Sequence, residues 1–388
     1  MDLRRIPAAD LDVASDPVLL ATIRDEIARD GPISFARFME IALYDAERGY
    51  YRGADARPGR GGDFLTAPEA HPIFGRAIAR FVDDLWRALD QPARFVVREH
   101  GAGTGALAEA LIDGLDSDGS GALDVLRYRV VEVEPARVAA VRTRLELAGR
   151  AGILEPDGDD PIVGLVLANE VLDALPTHRV VARAGGLREI LVGVDGDGRL
   201  VDVEAPPTTP RLAARLADEG IVLADGQRAE ICLAVDGWVA QAAAGLRRGA
   251  LVLIDYGHPA VELYDPDRRG AGTLAAYLRH QVHEDPYRAV GRQDLTAHID
   301  VTAVERAAGA SGLDHLATIP QAAFLDGLRA GEILVSYQTG PTATLQAYLE
   351  ARAALVRMID PAAMGRFRVI AFGRRLPAGR RLRGLGPA

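Results

Sequence analysis

Lysine is absent from the 388 residues; all 45 basic side chains are arginine. No Schiff base can form on a lysine, and no phosphate-loop lysine exists. Pyridoxal-phosphate enzymes of the usual kind and P-loop NTPases are therefore excluded. Cysteine is nearly absent too. The single Cys232, in "AEICLAV", can build neither an intrachain disulfide nor a cysteine-based metal cluster. Its apolar neighbours predict a buried core residue rather than a reactive thiol. No apolar run approaches the roughly 20 residues a membrane span needs. The opening "MDLRRIPAADLDVASDP" lacks the apolar stretch of a secretory signal, which predicts a cytoplasmic protein. Positive charge is in deficit: the net charge of −10 works against non-specific nucleic-acid binding, despite a basic tail, "RRLPAGRRLRGLGPA". His258, His280, His283 and His298 are scattered without metal-site spacing, so no metal is expected.

What is present is a soluble-protein composition, 48% hydrophobic, on a chain long enough for one decorated domain or two. Apolar positions at helical spacing predict two helices over 16–48, separated at "Gly31-Pro32" with Ser34 as the second N-cap. Residues 48–69 are rich in Gly, Pro and Arg and predict a long loop; 72–89 predict an amphipathic helix. Strands at 94–99, 127–134, 164–171 and 250–257 then alternate with helices at 106–115, 135–147 and 237–248. That alternation predicts an α/β fold with a parallel sheet covered on both faces. Residues 178–205 predict a hairpin or meander, 322–360 a helical stretch, and 366–374 a last strand. The tail 376–388 is predicted to be disordered.

The strand at 94–99 turns into a helix through Glu99-His100-Gly101-Ala102-Gly103-Thr104-Gly105. Glycines there permit the turn and let a ligand approach the backbone, beside the free N–H groups of a helix start. Gly101-x-Gly103-x-x-Ala106 also fits a dinucleotide fingerprint. Glu99 favours S-adenosylmethionine instead, because an acid there repels a pyrophosphate but can receive a positively charged amino group. Glu132, ending the next strand, can accept both ribose hydroxyls, as either cofactor would need. "LANEVLDALP" places Asn169, Glu170 and Asp173 at the carboxyl end of the following strand, where ligands of open α/β sheets bind.

These motifs, with "ISFARFMEIALYDAERGYY", "GDFLTAPEAHPIFG", "LIDYGH" and "DLTAHIDVTAV" in order along the chain, resemble the MidA-like family of class I methyltransferases. The mitochondrial complex I assembly-factor protein-arginine methyltransferase belongs to that family. The resemblance implies a Rossmann-like methyltransferase sheet at 91–375, an N-terminal helical cap and cofactor-covering loop at 1–90, and insertions at about 178–230 and 322–360. It implies that Glu99, Gly101, Gly103, Gly105 and Glu132 hold S-adenosyl-L-methionine. Asp63, Thr66 and Glu69 would contribute from a closing loop, and Asn169, Glu170 and Asp173 would face the methyl. The acceptor would be an arginine of a respiratory-complex subunit or related protein. Glu170 is then the expected guanidinium clamp, with Asp173 as second clamp or proton acceptor. His178 is either a base or a histidine anchoring the hairpin. His100 departs from the family's apolar residue and could add a pH-sensitive contact, and Glu134 replaces a small polar residue. Competing readings are a small-molecule methyltransferase on the same scaffold, an assembly factor that uses the fold to hold a partner, and a nicotinamide dehydrogenase.

Overall fold

The computed structural model describes residues 13–52, 65–158, 160–279, 281–340, 343–377, 379 and 381–386. Four apolar runs form its centre: β1 (Phe95–His100), β2 (Leu126–Val131), β3 (Ile162–Asn169) and β4 (Leu246–Asp255). Each is buried almost throughout, as strands covered by helices on both faces must be. They pair in parallel in the order β4-β3-β1-β2. Two more strands, β5 (Asp314–Pro320) and β6 (Arg368–Arg374), extend the β4 edge, giving the order β5-β6-β4-β3-β1-β2. β6 runs antiparallel to both its neighbours. The all-parallel expectation therefore fails at the last strand, which re-enters between β4 and β5 in the opposite direction. β5 is mostly exposed or half-buried, so it lacks the apolar run that marks the other strands in the sequence.

The α/β class read from the sequence is the one observed. One face of the sheet is covered by α1 (Ile73–Ala88), α2 (Ala106–Ser117) and the helices Gln321–Gly327, Ala330–Thr339 and Leu345–Ile359. The other carries Ala234–Ala244 and Val301–Ala310. The centre tolerates no side chain at Gly164 or Gly249, which face each other across β3 and β4. A Cβ at Gly249 would lie 1.8 Å from the Gly164 carbonyl oxygen, and one at Gly164 would lie 2.0 Å from that of Val96.

A second lobe is built from the insertion. Strands His178–Arg183, Gly186–Val194 and Leu200–Ala205 form the expected antiparallel meander. The helices Pro17–Asp30 and Phe35–Tyr44 pack against it and against residues of a three-stranded sheet, sharing a core with Val192, Ala276 and Leu295. Ser34 caps the second helix by accepting from the Arg37 N–H at 3.1 Å. Two expectations need correction. The helix Ile73–Ala88, expected in the N-terminal cap, buries its apolar face in the sheet's own core, as do the helices Gln321–Gly327, Ala330–Thr339 and Leu345–Ile359. The tail is not free either: Leu382 is buried, and Arg383 binds Asp84 through Nε at 2.7 Å and Nη2 at 2.8 Å. An arginine fork facing a carboxylate, with an apolar neighbour to bury, suffices to dock a Gly/Pro-rich segment. No helix among the described residues is long and apolar enough to cross a membrane.

Candidate active site

The turn after β1 takes the shape its glycines allow. Gly101, Gly103 and Gly105 have φ of +69°, +56° and +79°, a region that side chains disfavour. A Cβ on Gly101 would lie 2.6 Å from Val171 Cγ2, so the loop sits tightly against the start of the Asn169–Asp173 turn. Glu99, at the end of β1, is 2% exposed and accepts the Tyr128 hydroxyl at 2.7 Å. Glu132 follows β2 directly and accepts the Gly103 N–H at 2.6 Å. Glu69 accepts the Thr104 hydroxyl, which ties the described end of the 62–69 loop to the glycine turn. Thr66 is buried at the start of the short helix Ala67–Ala70. Asp63 lies outside the described residues.

Carboxyl groups gather at the ends of β3 and β4. Asn169 ends β3 and donates from Nδ2 to Glu170 at 3.1 Å, while its buried Oδ1 has no partner. Glu170 turns with φ +53°, unusual for a non-glycine residue and held by its N–H bond to Ile254 O at 2.8 Å. Its carboxylate also takes a hydrogen bond from the Ala67 backbone. Asp173 is 7% exposed; one oxygen receives the Tyr256 hydroxyl and Oδ1 has no partner. Beneath both lies Asp255, whose Oδ2 accepts the N–H groups of Val171, Leu172 and Asp173 at 3.2, 2.9 and 3.3 Å. This carboxylate pins the turn that presents Glu170 and Asp173. Asp294, from the three-stranded sheet, binds the Tyr51 hydroxyl at 2.7 Å and adds its charge to the field at Glu170. Among the described residues neither Glu170 nor Asp173 pairs with an arginine.

Burial and mutual repulsion leave these acids reluctant to ionise. Burial pushes Glu99 up to about 8, against the Tyr128 hydrogen bond, with Glu132 and Glu69 adding repulsion. Burial, then the Asp173 charge, pushes Glu170 up to about 8. Burial raises Asp173 to about 6 despite the Tyr256 hydrogen bond. Asp255 is raised by burial and by Asp173 and Glu170, against its backbone donors. A carboxyl whose folded pKa exceeds its unfolded value holds its proton more tightly in the native state. The stability this contributes is complete below the unfolded pKa and is lost as pH rises through the folded one. The ligand-free protein is thus expected to lose melting temperature between about pH 5 and pH 8. Thermal unfolding across that range checks this, and the Glu99→Gln/Glu170→Gln double variant should flatten the decline. An unchanged slope in the variant would show that other groups cause it.

The structure brings Glu99, the three glycines, Glu132, Thr66, Glu69, Asn169, Glu170 and Asp173 to one edge of the sheet. His178 stands apart. Its Nδ1 lies 2.7 Å from the fully buried Glu189, whose other oxygen takes the N–H and hydroxyl of Thr208 at 2.6 and 2.7 Å. It anchors the meander, the second of its two readings. The pH-sensitive role expected of His100 is corrected: burial and Arg98 push it down to about 4, so it stays neutral near neutral pH. Glu134 caps the helix Pro135–Leu147 and meets Arg52 at 3.5 Å. Cys232 is half-buried rather than buried, with burial pushing its thiol up to about 11. Asp255, Asp294 and Tyr128 were not singled out from the sequence. Asp255 left one signal, an acid closing an apolar parallel strand; the other two are defined only by distant partners.

A family model described as S-adenosyl-L-methionine-dependent methyltransferase matches residues 77–319. A Burkholderia thailandensis protein crystallised with S-adenosyl-homocysteine is 36% identical. The match covers 93% of each chain with a TM-score of 0.85. Protein arginine methyltransferase NDUFAF7, mitochondrial, of Danio rerio is 28% identical over 75% of this chain and 72% of its own length. The homolog named for Drosophila melanogaster is 26% identical over 91% of this chain and 84% of its own. The mitochondrial location in both names contrasts with the cytoplasmic expectation from the sequence.

Proposed function

Because the chain belongs to the family of S-adenosyl-L-methionine-dependent methyltransferases, we propose that it methylates an arginine guanidinium presented by a protein. The observation that carries this reading is the pair of half-buried Glu170 and buried Asp173, held at one turn without a cationic partner among the described residues. Such a pair favours a cation as its ligand, and a guanidinium fork can engage two carboxylates at once. The names printed for the zebrafish and fruit-fly relatives point the same way. A respiratory-complex subunit or related protein is the proposed acceptor.

The residues fit the cofactor. S-adenosylmethionine supplies a sulfonium-bound methyl group. The left-handed glycines leave its place free of side chains, and Glu99 is proposed to receive its ammonium group. Glu132 is proposed to exchange the Gly103 N–H for the ribose hydroxyls, and Thr66 and Glu69 are proposed to close the entrance. Asn169 and Glu170 orient the acceptor nitrogen for in-line attack. Glu170 clamps the fork and Asp173, with Tyr256 on its other oxygen, takes the departing proton. The cofactor's ammonium group favours ionised Glu99, so binding and proton release are coupled.

Incubation of purified protein with radiolabelled S-adenosylmethionine and cell extract tests the reading. Acid hydrolysates of labelled protein should contain methylarginine. Label confined to small molecules or to another amino acid would refute the arginine assignment while leaving the family intact.

A further inference from the structure

Asp173 has a second environment besides the turn that holds it. With Thr177, Glu230, His298 and Asp300 it lines a small cavity, partly open to solvent, whose apolar wall includes Cys232. Three residues lining this cavity each carry a buried polar atom without a partner: Asp173 Oδ1, Thr177 Oγ1 and His298 Nδ1. Thr177 is 1% exposed and Asp173 7%, so bulk water does not satisfy them. An ordered water needs two to four polar partners and on the order of 10–15 Å³ of free space, and the cavity offers both.

We propose that this cavity is the exit for the proton shed by the methyl acceptor, with a water held by Asp173, Thr177 and His298 passing it to Asp300. The inference rests on the reading that a nitrogen still bearing hydrogen accepts the methyl through its electron pair. As the N–C bond forms, the S–C bond breaks with its electron pair going to sulfur. The nitrogen then releases one proton to Asp173, which must unload it before the next turnover. Glu170, Asp255, Tyr256 and Tyr277 face Asp173 from the neighbouring elements, and none of them is a cation.

Asp300 is placed to receive the proton. It caps the helix Val301–Ala310 by accepting the Ala303 N–H at 3.1 Å and lies 3.4 Å from the Tyr264 hydroxyl. It is also hydrogen-bonded to Glu219, with Arg215 nearby. Two touching carboxyls share a proton, because their charges repel when both ionise. Glu219 is pushed up to about 8 by burial and then by Asp300. Its Oε1 reaches Arg306, a half-exposed side chain, at 3.5 Å, which leads toward the surface. His298 carries no charge in this scheme. Burial, then His258, Arg269 and Arg366, push it down to about 3, so its neutral ring only holds the water. The ring is set by Tyr256 and His258, with centroids 5.4 and 5.5 Å away.

Thr177→Val and Asp300→Asn test the relay, since asparagine keeps the helix cap but cannot carry the proton. Both should bind S-adenosylhomocysteine like the wild type. Both should transfer radiolabelled methyl to cell extract about tenfold more slowly, with a larger solvent deuterium effect, and Thr177→Ser should restore the rate. Wild-type rates and isotope effects in both variants would overturn the relay. A crystal structure with S-adenosylhomocysteine decides the first half independently of any acceptor. A water within reach of all three atoms, lost in Thr177→Val, is expected; its absence in the wild type sinks the proposal. Label on lysine instead of arginine would refute the arginine reading and leave the relay standing.

Discussion

Glu170→Gln will slow methyl transfer by about a hundredfold or more while leaving S-adenosylmethionine binding within about twofold. Glutamine fills the same space and keeps a carbonyl oxygen for the Asn169 amide and the Ala67 N–H. The left-handed turn at 170 is unchanged, because its N–H bond to Ile254 does not involve the side chain. What is lost is a negative charge in a half-buried place. Burial makes that charge costly in the empty site, and the same burial strengthens its attraction for a guanidinium. Calorimetry with the cofactor and single-turnover transfer of labelled methyl separate the outcomes. Wild-type transfer with normal binding would remove the clamp role. Equal losses of binding and transfer would move Glu170 into the cofactor site.

The second large effect is expected at Glu132. Its carboxylate follows the end of β2 and already holds the Gly103 N–H at 2.6 Å, so it stands at the glycine turn. Burial raises its pKa, opposed by the Gly103 N–H and Arg137. Two charge-assisted bonds to ribose hydroxyls contribute on the order of 3–6 kcal/mol, so Glu132→Ala should weaken binding by about a hundredfold or more. Glu134→Ser, which retains a capping side chain two residues away, should change affinity by no more than about twofold. A titration of both variants with S-adenosylmethionine decides between ribose recognition and a merely structural role. If Glu132→Ala binds like the wild type, the carboxylate serves the loop alone.

Part of the site was legible because its chemistry is local. Glu99 and the three glycines stand within seven residues, and a strand-to-helix turn leaves few other uses for that pattern. Asn169, Glu170 and Asp173 lie within five residues at a strand end, where the sheet's direction alone marks them. Asp255 is different. It supports the 171–173 turn from more than eighty residues away, and only the pairing of β3 with β4 brings it there. Asp294 and Tyr51 meet from 243 positions apart, so no spacing could announce them. His178 shows the converse: the sequence left it open as a base or an anchor, and the buried Glu189 across the meander decided for an anchor.

By itself the sequence determined the α/β class, the four central strands and the glycine turn after the first of them. Those depend on hydrophobic period and backbone freedom, which neighbouring residues set among themselves. It also excluded lysine chemistry outright. Only the tertiary structure decided the direction of the last strand, the docking of the tail, and the carboxyl cluster with its displaced titrations. A strand's direction follows from where the helices before it end. A tail docks only if a remote carboxylate such as Asp84 awaits its arginine. A carboxyl's readiness to ionise depends on how much water and how many like charges surround it, which sequence neighbours do not specify.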